Sequence, residues 1–183
     1  IAVSDTDVRK YAEIALQIHP SDEAKKIIKS ITDKNETQID SAEVRNLKGK
    51  IRRGESYAAT RYMGLQDSNV HFLDLPFYET GTIKKKNLSE DDITLVAGII
   101  SKIKPHQIYA AGDLADPHGT HKVCLDAVFT ACKQLKSEPF MKDCWLWLYR
   151  GAWHEWDINE IEMAVPMSPD QVLKKRHAIF CHQ

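Results

Sequence analysis

Within residues 113–121 stand two aspartates, Asp113 and Asp116, and two histidines, His118 and His121. Imidazole nitrogens bind divalent metals or carry protons near neutral pH, and a carboxylate that accepts an imidazole N–H fixes how the ring is held. If His118-Gly119-Thr120-His121 is helical, its two rings lie about one turn apart. One ring can then ligate a metal while the other faces the same substrate. Asp113 and Asp116 are placed to orient them. The plainer alternative is a helix start, capped by Asp116 or Thr120, with both histidines on the surface and nothing bound.

The elements around this stretch bear on the choice. Gln107–Ala111 reads as a short buried strand, and a helix is expected from Thr120 or His121 to about Leu135. An α/β protein places its chemistry at such a strand-to-helix junction, at the carboxyl end of the strand. Upstream, apolar spacing predicts helices over 7–18 and 24–31. A polar loop over 32–40 follows, then a long helix from Ser41-Ala42-Glu43 to Tyr62, stopped by Gly64. Asn69–Leu75 reads as a strand. Ser89, followed by Glu90-Asp91-Asp92, opens a helix that ends before Pro105. Downstream, Asp143–Tyr149 and Glu160–Val165 read as strands, and Ser168-Pro169-Asp170 caps a last helix over 171–182. This alternation predicts an α/β sheet with helices on its faces. Trp145 and Trp147, alternating on a strand, are expected in the core. An interface or a sugar-stacking surface is the alternative for the aromatic stretch from Trp145 to Trp156.

His19-Pro20-Ser21-Asp22-Glu23 is a weaker candidate for metal. It follows a helix, and Ser21 with the two acids makes a good helix start.

A chain of 183 residues with 43% hydrophobic and 28% charged residues is expected to form a single globular domain, 1–183, with a real core. A net charge of −1 argues against nucleic acid as a partner. The cluster from Lys48 to Arg53 is expected to be a solvated helix face, and Lys84-Lys85-Lys86 a turn. No apolar run reaches the roughly 18 residues of a membrane helix. Cys124, Cys132, Cys144 and Cys181 form no C-x-x-C pair and read as buried thiols of a cytoplasmic protein.

Taken as a set, these motifs resemble the PIG-L/LmbE family of zinc-dependent de-N-acetylases. The form most similar is the domain fused behind glucosamine-6-phosphate deaminase in some bacterial proteins. Arg52 to Glu55, followed by Ala58-Ala59 and Met63-Gly64, fits the family's Arg-x-x-Glu helix. Val70–Leu75 before Pro76 fits a strand ending in Leu-Pro. His118-x-x-His121 fits its second histidine motif. Lys175-x-x-Ala178-x-x-x-His182, with Gln183, fits its ending.

The resemblance implies a Rossmann-like, mostly parallel sheet with helices on both faces. It implies a zinc cofactor ligated by His121, and a catalytic His118 that stabilises the oxyanion or protonates the leaving amine. Arg52 and His182 would contact an amino-sugar substrate; for Arg52 the alternative is a salt bridge with Glu55. The family's first motif, His-Pro-Asp-Asp, supplies two zinc ligands and the water-activating aspartate, and it is absent. The chain is therefore expected to begin after it and to lack the first strand-helix-strand. Alone it should neither hold zinc tightly nor hydrolyse amides, and its partners should be the missing segment or a fused deaminase domain. Homo-oligomerisation remains open. The alternative is a non-catalytic, structural or sugar-sensing domain attached to a deaminase.

Overall fold

A computed structural model describes residues 4–18, 22–35, 38–78, 86–112, 119–150 and 155–182. The elements are α1 (Asp5–Ile18), α2 (Asp22–Thr32), α3 (Ala42–Met63), α4 (Glu90–Ile103), β1 (Gln107–Ala111), α5 (Thr120–Gln134), β2 (Trp145–Tyr149) and α6 (Pro169–Ile179). They fall into two compact units.

The first unit holds α1, α2, α3 and α6. Its core is Val8, Ala12, Ile27 and Val44, with Ile28, Ile31, Leu47 and Ile51 packed around it. Helical spacing puts Val8 and Ala12 on one stripe of α1, which α2 and α3 cover. α3 starts at Ser41, whose hydroxyl accepts the Val44 N–H, and ends at Gly64 in the left-handed region at φ 96°. A four-charge cluster ties the start of α1 to α3 and to the segment before it. Lys34 Nζ donates to Asp40 at 2.6 Å and to Asp5 at 3.2 Å, and Lys48 Nζ donates to Asp5 at 2.6 Å and to Asp40 at 2.8 Å. Lys48 is therefore no solvated surface cation, as its basic neighbourhood had suggested; two carboxylates hold it partly buried.

The second unit is a β-α-β arrangement with α4 packed alongside α5. β1 and β2 are parallel, in register Gln107↔Trp145, Tyr109↔Trp147 and Ala111↔Tyr149 on one face, with Ile108↔Leu146 and Ala110↔Leu148 on the other. Ile108 joins a core built from Ile93, Val96 and Ile100 of α4 and Ala127 and Ala131 of α5. The two alanines are fully buried, which lets the helices approach closely. α4 begins in a capping box: Ser89 accepts from Asp92 N–H, and the Asp92 side chain accepts from Ser89 N–H.

The α/β class holds, but two expected strands do not form. Residues 67–69 make a 3-10 turn, and 70–75 form no ladder, with Asp74 in the left-handed region at φ 49°. Ile158–Glu160 is likewise a 3-10 turn, capped by Asp157, and Val165 beyond it is 72% exposed. A β-prone run becomes a strand only where a neighbour pairs its N–H and C=O groups; among the described residues only β1 and β2 pair. α6 also ends three residues short of His182, which lies in the turn beyond it. The four cysteines are free thiols, half-buried rather than fully buried. No helix among the described residues is long and apolar enough to cross a membrane.

Candidate functional site

β1 leads toward the histidine pair through a tightly constrained exit. Gly112 N–H donates to Tyr149 C=O at 2.7 Å, which prolongs the ladder by one bond. A Cβ at Gly112 would stand 2.9 Å from Leu148 Cβ and 3.3 Å from the Trp156 ring, so only glycine fits. α5 then starts from Gly119, in the left-handed region at φ 66° with no side-chain cap. His121 sits in the first turn of α5, partly buried, with its Nδ1 shielded from solvent. Asp113, Asp116 and His118 lie outside the described residues, as do His19, Pro20 and Ser21.

Arg52 and His182, the two expected substrate contacts, are brought together in the first unit by a residue between them. Arg52 Nη1 donates to Glu55 Oε2 at 2.6 Å, and His182 Nδ1 lies 3.6 Å from the same oxygen. The Arg52–Glu55 pair is the salt bridge foreseen as the alternative for Arg52, but it is not a surface one: the Glu55 side chain is 12% exposed. His182 also lines an apolar groove of about 360 Å³ with Ala59, Met63, Leu65, Lys175 and Ile179. Nearby, Tyr62 Oη and His177 Nδ1 are 3.0 Å apart.

Metal is not accounted for by these residues. Among the described residues, no group of three or more His, Cys, Asp or Glu could hold an ion. A catalytic zinc takes about three protein ligands, so His121 by itself does not make that site.

Two features escaped the sequence. Asp92 is fully buried, and besides its capping role it accepts the Phe77 N–H at 2.9 Å. Burial acts to raise its pKa, but the Ser89 hydroxyl and the Phe77 and Ser89 N–H groups outweigh this and hold it below the usual carboxylate range. The capping pattern announced the helix start; nothing local announced Phe77. Second, the sheet face that carries Trp145 and Trp147 is only partly covered: Trp147 is half-buried, whereas Trp145, expected in the core, is largely exposed. Trp145 is 64% exposed, Tyr109 55% and Tyr149 53%. The Trp145 and Trp147 rings stack with centroids 6.0 Å apart, and Trp147 Nε1 is buried without a hydrogen-bond partner among the described residues. Cys132 and Cys144 have thiols pushed up by burial, which makes them poor nucleophiles.

A strand leading to a histidine at a helix start stands here in an α/β framework. The PIG-L family, GlcNAc-PI de-N-acetylase, matches residues 14–132. The chain belongs to that family. It is also 51% identical over 165 residues to a glucosamine-6-phosphate deaminase-like protein of Bacteroides thetaiotaomicron, a match covering 89% of this chain and 25% of that protein. The chain thus spans about a quarter of the length of that curated relative. No solved structure matches.

Proposed function

We propose that this chain is part of a de-N-acetylase domain that hydrolyses the acetamide of an N-acetylated amino sugar, releasing acetate and a free amine. Family membership across residues 14–132 is the observation that carries the reading. The relative's name supports glucosamine 6-phosphate as the product, which makes N-acetylglucosamine 6-phosphate the substrate.

In this reading His121 is a zinc ligand, and His118 stabilises the oxyanion or protonates the leaving amine. Asp113 and Asp116 orient the imidazoles, and Arg52 and His182 contact the sugar. When bound, zinc would polarise the acetamide and activate water. The described residues do not make a zinc site by themselves, and the remaining ligands and the base would come from residues other than these.

The partly exposed sheet face supports a Rossmann-like parent fold. Parallel sheets are covered on both faces and their edges are paired or protected. Here α4 and α5 serve one face, while Tyr109, Trp145 and Tyr149 stand open on the other. Further strand and helix from the same polypeptide would cover that face and pair β1 on its free edge.

The test compares this 183-residue chain with the longest polypeptide its gene encodes. Zinc content and acetate release from N-acetylglucosamine 6-phosphate are measured on both. The long polypeptide should hold about one zinc and release acetate, and His121→Ala should lose both. The 183-residue chain should do neither. One tightly held zinc and full activity in the short chain would overturn the division of the site.

A second reading has one observation in its favour. The stacked Trp145–Trp147 pair, with Trp145 largely exposed, suits a sugar ring or an interface. The domain would then sense an amino sugar, or hold a deaminase together, without catalysis. A long polypeptide that binds the sugar but releases no acetate would select this reading.

A further inference from the structure

We infer that Glu55 is a positioning residue that sets which ring nitrogen of His182 accepts a hydrogen bond and that holds Arg52 beside it. The inference rests on the proposed role of Arg52 and His182 in contacting substrate.

A carboxylate on a 22-residue helix can face water without cost, yet Glu55 is largely withdrawn from it. Its Oε2 stands between two cations or potential cations from distant parts of the chain. Arg52 lies three residues earlier on α3 and donates at 2.6 Å. His182 comes from beyond α6, in a turn held by His182 N–H to Ile179 C=O at 3.1 Å and Cys181 N–H to Ala178 C=O at 3.2 Å. That turn brings Nδ1 to 3.6 Å from Oε2. The separation is too long for a direct hydrogen bond, but it leaves the carboxylate's charge facing Nδ1.

The chemistry follows from the ring. A carboxylate facing Nδ1 favours the proton there, and the neutral ring then keeps its acceptor lone pair on Nε2. The His182 side chain is 38% exposed and borders the apolar groove. An acceptor at that border takes a hydroxyl or amine donor from a sugar. Without Glu55 the same ring would present an N–H there and reject that donor. Arg52 is held on the same oxygen, so one carboxylate sets the place of both side chains. Glu55 touches neither ligand group itself; it acts through its two neighbours.

A purely structural role would also use this contact, since it ties the end of the chain to α3. The two roles separate by spectroscopy. The chain is labelled with 15N-histidine, and His182→Gln assigns the resonances. In the unsubstituted chain His182 should show the Nδ1–H tautomer. Glu55→Gln, which keeps the size but removes the charge, should shift His182 toward the Nε2–H form, and Glu55→Asp should restore part of the original pattern. Unchanged His182 shifts in Glu55→Gln would overturn the inference.

Kinetics on the longest polypeptide supply the second readout. Glu55→Gln should lower kcat/KM per folded molecule about 10–100-fold, chiefly through KM. A lowered midpoint with kinetics unchanged per folded molecule would make the contact merely structural and overturn the inference. If the unsubstituted polypeptide releases no acetate, the functional reading fails, and the His182 shifts still decide the role of Glu55.

Discussion

The helical unit and the β-α-β unit are closed in different ways. In the first, α1, α2 and α3 bury Val8, Ala12, Ile27 and Val44 against one another, and Lys34, Lys48, Asp5 and Asp40 answer each other's charge at the rim. In the second, α4 and α5 cover one face of a two-stranded sheet, and the opposite face shows Tyr109, Trp145 and Tyr149 to solvent. Helices satisfy their own backbone hydrogen bonds and need only a face to pack on. A parallel sheet needs neighbours at its edges and cover on both sides. The same chain therefore holds a helical unit whose α1, α2 and α3 share one core and a sheet unit whose helices cover one face. The candidate site follows that division. Arg52, Glu55 and His182 form a set complete within the helical unit, whereas His121 stands on the sheet unit without a ligand set among the described residues.

Three substitutions probe this contrast. The largest effect is expected for Phe77→Ala. Phe77 is 1% exposed, and its N–H is held by the buried Asp92, so truncation should cost about 3–5 kcal/mol in denaturant unfolding. A loss under about 1 kcal/mol would mean that the turn at 76–78 packs loosely on α4.

A smaller loss, about 1 kcal/mol, is expected for Asp40→Asn in the helical unit, and it should shrink in high salt. Asp5 is held low mainly by its hydrogen bond from Lys48; Asp40 is raised by burial but held low on balance by Lys34 and Lys48. Their contribution is thus full above the ordinary carboxylate value of 3.8 and is lost as pH falls through the depressed folded values. Lys34 and Lys48 are raised on balance by the same aspartates. Their contribution is full below the ordinary lysine value of 10.5 and is lost as pH rises through the raised folded values. A stability profile from pH 2 to 5 that is identical for Asp40→Asn and the unsubstituted chain would remove the cluster from the account.

The smallest effect, within about 0.5 kcal/mol, is expected for Trp145→Ala in this chain, because that side chain is mostly in water. The same change in the longest encoded polypeptide should cost several-fold more if the face is covered there. Equal, small losses in both would leave the face open in the parent and favour the sugar-stacking surface.

Much of this was legible locally. Ser41, Ser89 and Ser168 each stand before a helix and accept a first-turn N–H, and Gly64 ends α3 in the conformation that suits glycine. β1 has the expected bounds, and β2 and α5 agree with expectation to within two residues. These features depend on a few neighbouring residues, so the chain states them wherever it is read. Helix positions also made Arg52 and Glu55 neighbours, being three residues apart.

The rest depended on partners distant in sequence. Asn69–Leu75 has the composition of a strand, yet composition does not supply the second strand that would pair it. Trp145 alternates as a core residue should, yet alternation names two faces and does not say which is covered. His121 could be read as a helix-start histidine from its spacing, but its burial is a property of the folded unit. Glu55 was legible as a partner for Arg52, and only the turn after α6 made it a partner for His182. By itself the sequence determined the caps, the helices, the β1–α5–β2 order and the family resemblance, because these rest on local chemistry and residue identity. The tertiary structure alone decided which extended runs pair, which sheet face is partly exposed and which carboxylate stands between Arg52 and His182, because each is a contact across sequence-distant segments.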